Sequence, residues 1–462
     1  MGFTSKPHVI LVPFPAQGHV APLMKLANNL ASHGIKVTFV NTESIHMQIM
    51  SAMSREIADQ CPINLAAIPG GWESNPGEQV KPESIENAPK LMRVHLHNLI
   101  ENINQTNNDA HVTHLIADIA NVWPLDVAKK MCIKTVTFVP YGLGNLALVL
   151  HAPKLVQAGI IDVFGIPIQE EPVSISKEIP PWNINELVWN INGDTEVQKF
   201  VYRQCVENIP EYIKISDFII VNSFYELEPS AYHLIPNILP IGPLLEHSQF
   251  GPFAGNLWSE DSTCLSWLDQ QPSRSVIYIA FGSSVFFNQH QFNELAHGLE
   301  VTGRPFLWVV RSDFLTNNEA TKEFSDRNIL ERIQNYGKIV KWAPQEKVLA
   351  HPSIACFVSH CGWNSIMEGV SMGVPFLCWP YMGDQFHNKD YICEAWKVGL
   401  VVNPDEKGIV TRHEIKSKIE KLICDEDIKI NSLKLKEMAK ISVGEGGTSY
   451  KNLLSFVEQI KH

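Results

Sequence analysis

The chain has 462 residues, too many for one ordinary core, so two or three domains are expected. Its 45% hydrophobic and 19% charged residues describe a globular protein, and a formal net charge of -12 argues against a nucleic-acid or anionic-membrane partner. Nine cysteines without a CxxC pair read as reduced, buried thiols and not as a disulfide framework or zinc site.

In chain order, short β-rich runs alternate with helical patterns, the signature of parallel α/β sheets. The first apolar run, 8–14, follows the N-terminus without signal-peptide architecture, and no apolar run of about 18 residues follows anywhere. The expectation is a cytoplasmic monomer with no transmembrane segment. Further strands are expected at 36–41, 63–69, 113–118, 134–140 and 217–224. Helices are expected at 20–33, 85–103, 123–131, 144–158 and 195–213. Segments 72–90 and 165–195 read as loops. A loop-rich stretch containing SQFGPFAGN then reads as a linker. Beyond it the pattern restarts, with strands at 275–282, 305–311, 337–341, 354–359 and 375–380. Helices there are expected at 288–302, 345–350, 364–372 and 385–397. The fold class is therefore α/β, two Rossmann-like doubly wound domains facing a cleft, with ligands beyond the carboxyl ends of the strands. The division is 1–245, a linker at 246–263, a second domain at 264–440, and a last helix in 441–462 that returns to the first.

Two residues in the first half carry candidate chemistry. His19 lies in the turn PAQGHV after the first strand, and Asp118 ends the strand THLIAD. Both belong to the carboxyl edge of one sheet. A carboxylate bonded to one imidazole nitrogen fixes the tautomer and leaves the other nitrogen to take a proton. A helix start lowers the imidazole pKa and the carboxylate raises it, which suits a base near neutral pH.

Gly142-Leu143-Gly144-Asn145-Leu146-Ala147 fits GxGxxA, follows a strand and opens a helix, with Asp162 beyond it. This is the pattern of an NAD-dependent oxidoreductase. The strand that should end in the acidic residue is missing or very short, and a glycine-eased turn near an acceptor pocket is the competing reading.

The richest stretch runs from Trp342 to Gln385. Strand 354–359 hands over through His360 and Gly362 to a helix near Asn364. Strand 375–380 hands over to a loop with Asp384 and Gln385. Two consecutive parallel strands bring His360, Asn364, Ser365, Asp384 and Gln385 to one sheet edge. The turn has no Lys or Arg, and His360 is its nearest cationic candidate. A diphosphate here would rest on helix-start N–H groups, the Ser365 hydroxyl and the helix dipole. Plainer readings compete: Ser365 and Glu368 as a capping box, Trp342 as a core aromatic, Asp384 as a turn residue and Cys361 as a buried thiol.

The combination resembles the signature box of plant UDP-dependent glycosyltransferases. The resemblance rests on Trp342-Ala343-Pro344-Gln345, His360-Cys361-Gly362-Trp363-Asn364-Ser365, Glu368, Pro375 and Asp384-Gln385, and extends to Phe281–Ser283 and the C-terminal segment. It implies a GT-B fold with a UDP-sugar donor as co-substrate and no other cofactor. It places uracil on Trp342 and Ala343, the ribose on Glu368, the phosphates on His360, Asn364 and Ser365, and the sugar on Asp384 and Gln385. Ser283, Gln345 and Trp363 complete the donor set. Gln385 and Trp363 favour UDP-glucose over galactose or glucuronate donors. The resemblance carries the family's base to His19 and its supporting Asp to Asp118. It implies inverting transfer to a hydroxyl or carboxyl of a small lipophilic acceptor such as a phenolic, flavonoid or terpenoid. Trp123, Tyr141 and Phe386 are candidate acceptor contacts. Asp425-Glu426-Asp427 reads as a solvated loop, so no metal site is expected. The rival readings are the oxidoreductase and a UDP-sugar-binding protein without turnover.

Overall fold

The computed structural model describes residues 6–53, 60–70, 82–106, 110–190, 195–246, 255–283, 285–311, 333 and 336–462. Contacts divide the chain into two units. The first is Met1–Ile168, Gly193–Ser259 and Ser442–His462; the second is Gln169–Asn192 and Glu260–Ile441.

The first unit holds a seven-stranded parallel sheet: β1 (His8–Val12), β2 (Lys36–Thr42), β3 (Asn64–Ile68), β4 (Val112–Asp118), β5 (Lys134–Val139), β6 (Phe218–Val221) and β7 (Ile238–Pro240). Their spatial order is β3-β2-β1-β4-β5-β6-β7. β1 is HVILV with every residue buried, the continuous apolar run of a parallel strand covered on both faces. Each face has its own core. One joins Val9, Leu11 and Phe39 to the helices Gln17–Ser32 and Thr448–Lys461. The other joins Ile10, Val12 and Leu115 to the helices Pro82–Thr106 and Trp123–Lys130.

The second unit holds a six-stranded parallel sheet: β8 (Val276–Ala280), β9 (Phe306–Val309), β10 (Gly337–Val340), β11 (Ile354–Ser359), β12 (Phe376–Cys378) and β13 (Gly399–Val401). Their order is β10-β9-β8-β11-β12-β13. The core recorded for this sheet sets Ile277, Trp308 and Val358 against the helices Gln289–Thr302 and Arg412–Cys424. In both sheets the strand order reverses once, between β1 and β4 and between β8 and β11. These are the switch points where the flanking loops part and side chains can meet a ligand.

Several expectations need revision. β7 and β13, three residues each, have too little apolar length to stand out in the sequence. The helix Glu43–Ala52 was not expected. Asp425–Asp427 is a helix start and not a loop: Asp425 accepts from Ile428 N at 3.0 Å, and helix begins at Glu426. Of the expected loop 72–90, residues 72–81 lie outside the described residues and the rest opens the helix Pro82–Thr106. Segment 169–192, expected in the first domain, groups with the second. Of the expected linker, 247–254 lie outside the described residues, whereas 255–259 pack on the first unit. There Gln17 donates to Asn256 Oδ1 and accepts from Leu257 N.

The last helix is an integral part of the first unit. Phe456 is fully buried and meets Phe218 edge-on at 5.8 Å, and Asn452 donates to the Pro240 carbonyl at 2.9 Å. Phe456→Ala should therefore cost about 3–5 kcal/mol, the usual cost of a cavity left by a buried aromatic. Chemical denaturation followed by tryptophan fluorescence checks this, and an unchanged first transition would contradict it.

Candidate active site

At the switch point of the first sheet, β1 and β4 run side by side, Val12 opposite Ala117. The helix after β1 begins at Gln17, three residues earlier than expected, so His19 sits in its first turn, with its N–H on the Ala16 carbonyl. Asp118 is the last residue of β4 and is 0% exposed. A carboxylate without water must be paired. Its Oδ2 lies 2.8 Å from His19 Nδ1, and its Oδ1 accepts from Ala120 N at 2.8 Å. Nδ1 therefore carries a proton, and in the neutral imidazole the lone pair belongs to Nε2. The His19 side chain is 25% exposed, so the ring bridges the buried acid and the surface of its unit.

The GxGxxA turn is also in this unit. The helix Leu143–Gln157 has Gly142 as its N-cap, with no side-chain capping bond from that residue. A carboxyl group of the protein itself occupies this helix start. Glu228, 2% exposed, accepts from Gly144 N with Oε1 and from the Ser223 hydroxyl with Oε2. A dinucleotide phosphate would have to displace that carboxyl group. Asp162, the supposed ribose ligand, accepts from Phe164 N and Ile166 N within its own turn. The dinucleotide reading therefore fails.

At the switch point of the second sheet, Ser359 at the end of β11 pairs with Ala280 at the end of β8. The turns beyond them interlock. A Cβ on Gly282 would lie 2.7 Å from His360 Nε2, and one on Gly362 closer still, so both glycines are there to admit the imidazole. Burial lowers the His360 pKa to about 4. The ring is neutral at pH 7, not the cation the sequence suggested. A buried cation in this unit is Arg311, just past β9, which donates to the Gly282 carbonyl at 2.7 Å. An arginine closing an apolar strand was the signal available for it. Cys361 takes a left-handed φ of 66°, is fully buried and donates its thiol to the Ser359 carbonyl. Ser283, half-buried, follows Gly282.

The helix Trp363–Met372 is capped by Gly362, with no side-chain capping bond. Ser365 and Glu368 thus lie inside the helix, and the capping-box reading is wrong. Both face Gln345, whose Nε2 donates to Ser365 Oγ at 2.9 Å and to Glu368 Oε2 at 2.7 Å. The Tyr278 hydroxyl on β8 donates to Gln345 Oε1 at 3.0 Å and fixes the amide's orientation. Trp342 and Ala343 precede this residue, the first half-buried and the second buried. Asn364 is half-buried in the helix's first turn, and Trp363 is buried, its ring 6.4 Å from that of Trp396.

Asp384 and Gln385 open the short helix Gln385–Asp390. Gln385 Oε1 accepts from Tyr381 N and Met382 N, so its Nε2 hydrogens are what it can offer a ligand. Asn388, missed from sequence, ties the two loops together. Its Nδ2 donates to the Cys361 carbonyl at 3.0 Å and to Asp384 Oδ2 at 2.9 Å. Phe386 is half-buried in this helix. Of the other candidate acceptor contacts, Trp123 is packed in the core with Val12 and Met92, while Tyr141 is half-buried ahead of Gly142. Among the described residues, no group of three His, Cys, Asp or Glu is placed to hold a metal ion, and no helix is long and apolar enough to cross a membrane.

Comparison with known proteins bears on the family and the fold. Residues 200–441 match the family model of UDP-glucoronosyl and UDP-glucosyl transferases, and 6–57 match that of a glycosyltransferase N-terminal domain. UDP-glycosyltransferase 83A1 of Arabidopsis thaliana is 38% identical over 99% of this chain and 97% of its own length. The crystal structure of Os79 from O. sativa in complex with UDP has a TM-score of 0.79 at 27% identity, covering 98% of this chain and 100% of that one. Phytolacca americana UGT2, complexed with UDP-2fluoro-glucose and pterostilbene, has the same TM-score and identity over 99% and 100%. Two doubly wound parallel sheets with these neighbours are the GT-B fold of glycosyltransferases. The chain belongs to the UDP-glycosyltransferase family.

Glu228 gives a test of the first unit. Burial raises its pKa from 4.5 to about 7. The folded chain then holds a proton the unfolded chain releases near pH 4.5, so folding stability falls as pH rises from about 4.5 through about 7. The change is on the order of 3 kcal/mol. Glu228→Gln should flatten that slope in denaturation curves taken between pH 5 and 7.5; an equal slope in both proteins would contradict it.

Proposed function

We propose that this enzyme transfers glucose from UDP-glucose to a hydroxyl or carboxyl of a small lipophilic acceptor, giving a β-glucoside and UDP. The observation that carries the reading is the 2.8 Å bond between His19 Nδ1 and the buried Asp118. It leaves Nε2 as the nitrogen able to accept a proton and lets Asp118 stabilise the imidazolium that forms. An acceptor hydroxyl gives its proton to Nε2 while its oxygen bonds to the anomeric carbon. The bond from that carbon to the UDP oxygen breaks on the opposite face, and the electron pair leaves with UDP. A carboxyl acceptor already ionised attacks in the same way without the proton transfer. One displacement inverts the anomeric centre.

In this reading the second unit holds the donor. Trp342 supplies a stacking face for uracil, and Ala343 backbone contacts for its edge. Glu368 accepts from the ribose hydroxyls, its carboxylate set in place by Gln345. The diphosphate falls to the N–H groups that follow Gly362, to Asn364, Ser365 and the neutral His360, and to the helix dipole. Donors preorganised around a leaving group stabilise the charge that develops there, so the transfer needs no metal ion in this reading. Ser283 and Trp363 border this region. Asp384 and the Gln385 amide take the sugar hydroxyls. UGT2's complex with a fluoro-glucose donor and pterostilbene supports glucose and a lipophilic acceptor.

His19→Ala should lower transfer about 100- to 10,000-fold, the usual contribution of a positioned base, with UDP-glucose affinity unchanged. The assay is UDP release from UDP-glucose over a panel of flavonols, simple phenols and terpenoid alcohols, with product linkage read by NMR. Acceptor-dependent release that survives in His19→Ala would contradict the base. UDP-glucose binding without release for any acceptor would favour a binding protein. Gln385→His should lower the preference for UDP-glucose over UDP-galactose, because imidazole cannot accept both loop N–H groups as the amide oxygen does. An unchanged preference would remove that role.

A further inference from the structure

Residues 169–190 come from the first half of the sequence yet pack as part of the second unit. The segment is folded back on itself. Val173 and Trp182 exchange two backbone hydrogen bonds of 2.8 Å. Ile179, Ile184 and Leu187 are buried, so its apolar side chains are committed to packing.

It packs on the helix Gln385–Asp390. The Trp182 indole, 1% exposed, stacks on the His387 imidazole with centroids 3.9 Å apart and planes 17° apart. His387 Nε2 lies 2.9 Å from the Pro180 carbonyl. A carbonyl only accepts, so the ring proton is on Nε2. Burial lowers the His387 pKa to about 3, which keeps the stacked ring neutral. Lys389, two residues on, reaches Glu186 at 3.6 Å.

Even with the π-helical turn Tyr391–Ala395 that continues it, this helical run is too short to hold its own position; tertiary contacts must do so. Asn388 ties this one to the phosphate turn through the Cys361 carbonyl. Residues 180–186 hold it from a different part of the chain. We propose that 169–190 is a strap that positions Asp384 and Gln385, so that sugar recognition depends on a segment lying in the first half of the sequence. Trp182 and His387 are its positioning residues. The inference rests on the donor reading above.

The test compares two ligands that differ only by the sugar. Calorimetric titration of Trp182→Ala with UDP-glucose should show affinity about three- to tenfold weaker, the scale of one lost hydrogen bond. Titration with UDP should match the parent protein. Trp182→Phe, which keeps a stacking ring, should restore UDP-glucose binding. If Trp182→Ala fails to fold, His387→Leu carries the same comparison. Equal weakening of both ligands, the mark of a merely structural contact, would overturn the strap, and so would no change in either. A parent protein that binds UDP but not UDP-glucose would instead overturn the donor reading, and the strap's role with it.

Discussion

A parallel sheet releases every strand at the same edge, and two sheets of that kind decide where chemistry can gather in this chain. β1 and β4 part at one switch point, β8 and β11 at the other. His19 and Asp118 are 99 positions apart yet share a hydrogen bond because they leave neighbouring strands. His360 and Gly282 are brought together the same way at the second sheet. The helices that follow begin at these edges too, so each site receives the positive end of a helix dipole.

Burial then determines which polar groups are rigid. Asp118, Glu228, Glu368 and Gln385 are all buried, and each has named partners that hold it in one orientation. Breaking such a bond leaves a desolvated group unsatisfied, which costs more than the bond itself contributes. Tyr278, Gln345 and Glu368 form a chain of this kind, and Asn388 joins Asp384 to the turn at Cys361. The overall acidity of the chain is offset locally by Arg311 and by the positive end of a helix dipole.

Much of this was legible in the sequence, and the rest was hidden for physical reasons. Long β-branched runs such as HVILV and IACFVS announce central strands, whereas β7 and β13 are too short to carry a period. His19 and Asp118 could be paired because both stand at strand ends. Glu228 could not be foreseen as the partner of the Gly142 turn, since a carboxyl group 84 residues from Gly144 carries no local mark. The capping-box reading of Ser365 and Glu368 failed for a similar reason: their partner, Gln345, comes from another helix. Trp182 and His387 are likewise ordinary residues until the chain brings them face to face.

The most direct measurement is a crystal structure of the protein with UDP bound. The uracil ring is expected against Trp342, the ribose hydroxyls on the Glu368 carboxylate and the diphosphate over the N–H groups after Gly362. A nucleotide bound away from that helix start, with Glu368 still held by Gln345, would contradict the assignment of the second unit as the donor site.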